Sequence, residues 1–188
     1  MSASPDIAKQ IVGELEQSVR LMDPASVGKL AGAVQGAKRV FLAGAGRSGL
    51  MGRAFAMRLM HSGITAFVVG ETITPGIGEE DLLIAGSGSG ETASLISMAK
   101  KAKAAGASVT AVTINPESTL GSLSDLIVKL PGAVKDQARQ GGGSLTVQPM
   151  GSLFEQTLLV FYDAVILQMM ASRGLDSSGM YGNHANLE

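Results

Sequence analysis

The chain has 188 residues, 45% of them hydrophobic and 16% charged, with a formal net charge of −1 and no cysteine. Such a composition is too apolar for a disordered segment, and its near-neutral charge supplies no field to draw nucleic acid or an anionic membrane surface. The lack of cysteine excludes disulfides, iron–sulfur ligation and thiol catalysis, and two histidines are too few for a histidine-rich metal cage.

From the N-terminus, Met1-Ser2-Ala3-Ser4-Pro5-Asp6 lacks the basic and then apolar run of a signal peptide, which points to a cytoplasmic protein. Ser4-Pro5 predicts a helix start, and Ile7, Ile11, Leu15, Val19 and Met22 mark one face of that helix. Asp23-Pro24 repeats the signal, and Val27, Leu30, Ala31 and Val34 give a shorter helix ending near Gly36. These N-terminal helices, within residues 5–35, either pack on the sheet that follows or project towards another subunit. Strands are then expected at Arg39–Ala43, Ala66–Val69, Leu82–Ala85, Val109–Ile114 and Leu126–Leu130. Helices alternate with them at Ser48–His61, Glu91–Ala105, Ser118–Ser124 and Ser152–Arg173, and Gly63, Gly106 and Gly174 fit as C-terminal caps. Strands this uniformly apolar are buried on both faces, which implies an α/β fold with a parallel sheet between helix layers. The apolar stretch Leu158 to Met170 is interrupted by Asp163 and reads as a buried helix rather than a membrane span. No linker divides the chain, so residues 1–188 are expected to form one domain with a tail over 175–188. Arg139 to Ser144, with three consecutive glycines, reads as the most flexible stretch, just before the last helix.

Two strand-to-helix loops carry the chemistry. Gly44-Ala45-Gly46-Arg47-Ser48-Gly49 follows the first strand and Gly86-Ser87-Gly88-Ser89-Gly90-Glu91-Thr92 follows the third. Glycine lets the backbone approach an anion, and each helix N-terminus offers unpaired N–H donors. Hydroxyls of Ser48, Ser87, Ser89 and Thr92 and the Arg47 guanidinium add donors, with Gly46 and Gly88 at the points of closest approach. If both loops grip one phosphate, the first and third strands must be neighbours. That excludes the Rossmann order and fits the flavodoxin-like order 2-1-3-4-5. A competing reading takes Gly44, Gly46 and Gly49 as a dinucleotide fingerprint with Glu71 on the ribose. It leaves the second loop without a task and no residues for a separate substrate domain.

Acid–base candidates are few. Glu155 stands in Gln148-Pro149-Met150-Gly151-Ser152-Leu153-Phe154-Glu155-Gln156. Ser152-x-x-Glu155 is also a capping box, so base and helix cap stand as equal readings. His61 ends the helix after the first loop, where histidine often only compensates the helix dipole. His184 lies in the tail. Glu91 sits in a first helical turn, where an acid has structural reasons to be.

Both serine-bearing loops resemble those of the sugar isomerase (SIS) domain family. Glu71 to Pro75, Gln148 to Gln156 and the ending His184-Ala185-Asn186-Leu187-Glu188 are similar to the 3-hexulose-6-phosphate isomerase branch of that family. The resemblance implies a five-stranded parallel sheet sandwiched by helices, a homotetramer with active sites near subunit contacts, and no metal or organic cofactor. It implies that Ser48, Ser87, Ser89 and Thr92 hold the substrate phosphate and that Glu155 is the base. His61 or His184 would assist, from the same or a neighbouring subunit. The reaction implied interconverts D-arabino-3-hexulose 6-phosphate and fructose 6-phosphate through an enediol. Its setting is the ribulose monophosphate pathway of formaldehyde fixation, alongside a hexulose-phosphate synthase. Isomerases of arabinose 5-phosphate or sedoheptulose 7-phosphate, and non-catalytic sugar-phosphate sensors, are the alternatives within the same family.

Overall fold

The computed structural model describes residues 4–132 and 146–187. The glycine-rich stretch Arg139 to Ser144 lies outside them. Five parallel strands form one sheet: β1 (Val40–Gly44), β2 (Ala66–Val68), β3 (Leu82–Gly86), β4 (Ser108–Thr113) and β5 (Leu126–Lys129), in the order β2-β1-β3-β4-β5. This is the flavodoxin-like order that the paired loops demanded. In the β1–β3 register Val40 faces Leu82 and Gly44 faces Gly86, so the two glycine loops leave the sheet side by side.

The strand pattern explains the layers. Val40 and Leu42 of β1 and Leu82 and Ile84 of β3 point into one core, shared with α2 (Ala25–Gly36), α3 (Gly46–His61) and α6 (Ser152–Arg173). Phe41, Ala43, Leu83 and Ala85 point into the other, against α4 (Ala93–Ala104) and α5 (Thr119–Ser122). The second core is lined by Ala99, Ala102, Ala107 and Ala111 beside Phe41, so helix and sheet close up tightly. Helix α6 is long and apolar enough to cross a membrane by length and composition, yet Leu158, Phe161, Val165 and Met169 are buried in the first core. Asp163 is on its exposed side.

Helix α1 (Ser4–Arg20) packs on α6 rather than on the sheet, and Ile7 and Val19 of its predicted apolar face remain 49% and 41% exposed. Helix α4 starts at Ala93, two residues later than expected, because Gly90 takes φ +69° and Thr92 is the extended N-cap residue. Helix α3 starts two residues earlier than expected, at Gly46, whose φ is +56°. The sequence pattern did not mark α7 (Ser177–Tyr181), a short exposed turn of helix capped by the Asp176 side chain.

Candidate active site

The first loop turns so tightly that its outer glycines answer to each other. A Cβ on Gly44 would stand 2.8 Å from the Gly49 backbone, and one on Gly49 would stand 2.5 Å from the Gly44 carbonyl oxygen. Those two positions serve strand–helix packing. At Gly46 a Cβ would meet open space, and only its positive φ calls for glycine. Arg47 and half-buried Ser48 follow in the first turn of α3.

The second loop is braced from within and from outside. Ser87 Oγ accepts from Gly90 N at 3.2 Å and lies 3.0 Å from Thr92 Oγ1, while Ser89 Oγ accepts from Glu91 N at 3.2 Å. Hydroxyls therefore line the loop beside the N-terminus of α4. The Glu91 carboxylate turns away and accepts from Thr119 N at 2.7 Å, which keeps its pKa low. Leu120 N donates to Gly90 O at 3.0 Å, so α5 holds the loop from behind. Glu91 thus has the structural role expected of it. Gly88 packs against Phe154, and a Cβ there would lie 3.3 Å from that ring.

Glu155 lies in the first turn of α6 and is buried, 6% exposed. Its side chain is 3.3 Å from Arg47 Nη1, and the same Nη1 donates to Ser152 Oγ at 2.8 Å. The capping-box reading therefore gives way. Gly151 is the N-cap residue, Ser152 is already inside the helix, and its hydroxyl is engaged by Arg47. Arg47, expected to face a phosphate, here joins the first loop to the buried carboxylate.

The two histidines come together, but elsewhere. His61 and His184 stack with ring centroids 5.2 Å apart, and Tyr181 stacks on His184 at 5.7 Å. Asn183 Nδ2 donates to His61 O at 3.0 Å and fixes the tail there. Arg173 Nη1 donates to Ser62 O at 2.7 Å, so the last turn of α6 closes the same end. Burial, then the charges of His184 and Arg58, lower the pKa of His61 and favour its neutral form. A cavity of about 410 Å³ opens beside these rings, lined also by Arg58, Asp163 and Met180. Helix α3 starts at the first loop and ends at His61, so about 22 Å of helix separates them. Within one chain, then, Glu155 and the loops share one end of the sheet and the histidines occupy the other. Among the described residues no three His, Asp or Glu side chains converge as metal ligands would.

The SIS domain family model matches residues 34–171, which spans the sheet, both loops and Glu155. The chain belongs to the SIS domain family. It is 54% identical to the 3-hexulose-6-phosphate isomerase of Bacillus subtilis (strain 168), over 95% of this chain and 96% of that one. It is 43% identical to the 3-hexulose-6-phosphate isomerase of Mycobacterium gastri, covering 93% of this chain and 86% of the relative. Its fold superposes with a TM-score of 0.80 on a Methanococcus jannaschii protein of 33% identity, covering 97% and 99% of the two chains; that crystal structure was taken to infer a molecular function of 3-hexulose-6-phosphate isomerase. The family match covers both glycine loops and leaves α1 and the tail outside it.

Sequence reasoning missed two members of this architecture. Asn183 carried no pattern of its own and gains its role from a carbonyl 122 residues away in sequence. Glu14, on α1, reaches across to the segment before α6, a contact that no local periodicity signals.

Proposed function

We propose that this protein interconverts D-arabino-3-hexulose 6-phosphate and fructose 6-phosphate. The observation that carries the reading is the Arg47 bridge: one guanidinium links a phosphate-type loop to a buried carboxylate 3.3 Å away. The similarity to named 3-hexulose-6-phosphate isomerases, over most of both chains, supports the choice of sugar.

In this reading Ser48, Ser87, Ser89 and Thr92, with the N–H groups near Gly46 and Gly88, receive the phosphate at C6. Its binding energy holds the open-chain sugar with C2 towards Glu155. Glu155 takes the proton from C2, the electron pair forms the C2=C3 double bond, and the C3 carbonyl oxygen gains a proton, giving the 2,3-enediol. Return of a proton to C3, with loss of the proton on O2, leaves the carbonyl at C2. Arg47 carries five N–H donors, enough to meet the incoming phosphate while staying near Glu155.

The proton traffic on oxygen needs a second group, and we assign it to His61 or His184 of another copy of the chain. Leu50, Met57 and Met60 leave α3 with exposed apolar surface along its length, and Leu167 and Tyr181 extend it. Two copies packed about a two-fold axis, with their α3 helices antiparallel, would place the histidine end of one beside the loop end of the other. A homotetramer satisfies this requirement, and the reaction would follow a hexulose-phosphate synthase in the fixation of formaldehyde by the cytoplasmic ribulose monophosphate pathway.

Fructose 6-phosphate incubated with the protein in deuterated water tests the reading. Deuterium should enter the sugar at C3, and the 3-ketose should accumulate to its equilibrium share. Binding of the sugar without exchange would identify a sensor and refute the proposal.

A further inference from the structure

We propose that Glu14 of α1 is a positioning residue that fixes the entry to α6 and thereby the place of Glu155; the inference rests on the isomerase reading above. One carboxylate receives three donors from a segment more than 130 residues away in sequence. Thr146 Oγ1 donates to Glu14 Oε2 at 2.5 Å, Gln148 Nε2 donates to the same oxygen at 2.9 Å, and Val147 N donates to Oε1 at 2.6 Å. Thr146 Oγ1 in turn accepts from Gln148 N at 3.0 Å. Thr146 and Gln148 are buried, 7% and 6% exposed, so these donors have little recourse to water.

The segment needs an external anchor. After Gln148 the chain turns through Pro149 and then Met150, which is held at φ +56°, a conformation that strains a residue with a side chain. Ser152 N closes that turn on Pro149 O at 3.2 Å, and Glu155 N closes the first turn of α6 on Gly151 O at 3.0 Å. Between the clamp and Glu155 there are only these turns. Fixing residues 146–148 therefore fixes where α6 begins and where its buried carboxylate points. The phosphate loops hang on β1 and β3 and do not depend on the clamp. Helix α1 lies outside the family match, and its apolar face is only half covered, so apolar packing leaves much of its placement unexplained. Delivering Glu14 to this segment accounts for it.

The role separates from a purely structural one through kinetics. A displacement of about 1 Å in a reacting group costs on the order of 10²-fold in rate without weakening remote binding. Glu14→Ala should lower kcat by tenfold or more and change KM for the sugar phosphate by less than threefold. Glu14→Gln, which keeps an acceptor for Val147 N and can be met by a turned Gln148 amide, should recover most of kcat. Thr146→Val gives the same kind of loss from the other side of the clamp if Glu14→Ala folds poorly. Hydrogen exchange of the peptide spanning residues 146–156 provides a readout independent of turnover, and Glu14→Ala should expose it while leaving the β1 and β3 peptides protected. Unchanged kcat, or a KM increase with kcat intact, overturns the positioning role. If the wild-type chain proves inactive on the sugar, the isomerase reading fails by itself, and unchanged exchange over 146–156 would then overturn the clamp.

Discussion

Replacing Glu155 by glutamine separates chemistry from architecture at one position. The side chain is buried, while its partner Arg47 is half exposed, so the ion pair at 3.3 Å operates close to solvent. Pairs of that kind contribute about 1 kcal/mol or less. Glutamine keeps an oxygen that can accept from Arg47, and it removes the charge of a buried side chain whose partner reaches solvent. Folding stability should therefore change by about 1 kcal/mol at most, which for a chain of this size shifts Tm by about 2–4 °C. Turnover should respond far more. Loss of a general base costs about 10²–10⁴-fold, equivalent to about 3–5 kcal/mol in the barrier. The assays are a thermal melt and the initial rate of sugar phosphate isomerisation, with KM measured in parallel. In the proposed reading the phosphate is held by the loops and not by this carboxylate, so KM should move little. A variant that keeps its rate within tenfold of wild type would refute the base assignment. A variant that loses rate only because it melts far below the wild type would show that Glu155 serves the fold instead.

At Gly90, alanine would combine a positive φ of +69° with a Cβ pressed into the Ser118 side chain, so Gly90→Ala should raise KM at least tenfold. Ser118→Gly in that background removes both the hydroxyl and the Cβ that the new methyl would overlap and should recover part of the loss; no recovery would show that the clash does not set the effect. His61 should titrate below its ordinary value, near 6.5, because burial disfavours its charged form. Its folded pKa is depressed, so the unfolded chain binds the proton first: this contribution to stability is complete above pH 6.5 and declines as pH falls through the folded value. Histidine C–H resonances followed by NMR provide the check, and a midpoint at or above 6.5 for His61 would contradict it.

How much of this was legible in the sequence depends on the range of each interaction. The strands were legible because short apolar runs such as Leu82 to Ala85 end at glycine-rich turns, and α6 because its apolar stretch is too long for a strand. The sheet order followed from a functional premise, that two loops share one anion, and the register of Gly44 opposite Gly86 agrees with it. The glycine spacing was read too simply. Gly44 and Gly49 look identical to Gly46 in a motif, yet they respond to a backbone contact and Gly46 to a dihedral angle. The capping box misled for a related reason. Ser152 and Glu155 have the right spacing for reciprocal capping, but Arg47, more than 100 residues earlier in the chain, competes for both side chains and wins. A charged donor outbids a neutral amide for a buried carboxylate, and no window on the local sequence contains that donor.

The same logic explains why the histidines resisted assignment. Their positions in the sequence, at a helix end and in a tail, suggested two weak and unrelated residues. Asn183 and Arg173 draw the end of α3, the end of α6 and the tail onto one surface, where His61 and His184 stack beside a cavity. That surface lies a full helix length from the carboxylate it is proposed to serve. A helix cannot shorten, so if the proposed roles of Glu155 and the histidines hold, those groups would have to meet between chains. On the proposed reading, the exposed apolar side chains along α3 and the separation of Glu155 from the histidines have one explanation: a second copy packed on that face would bring the two groups together.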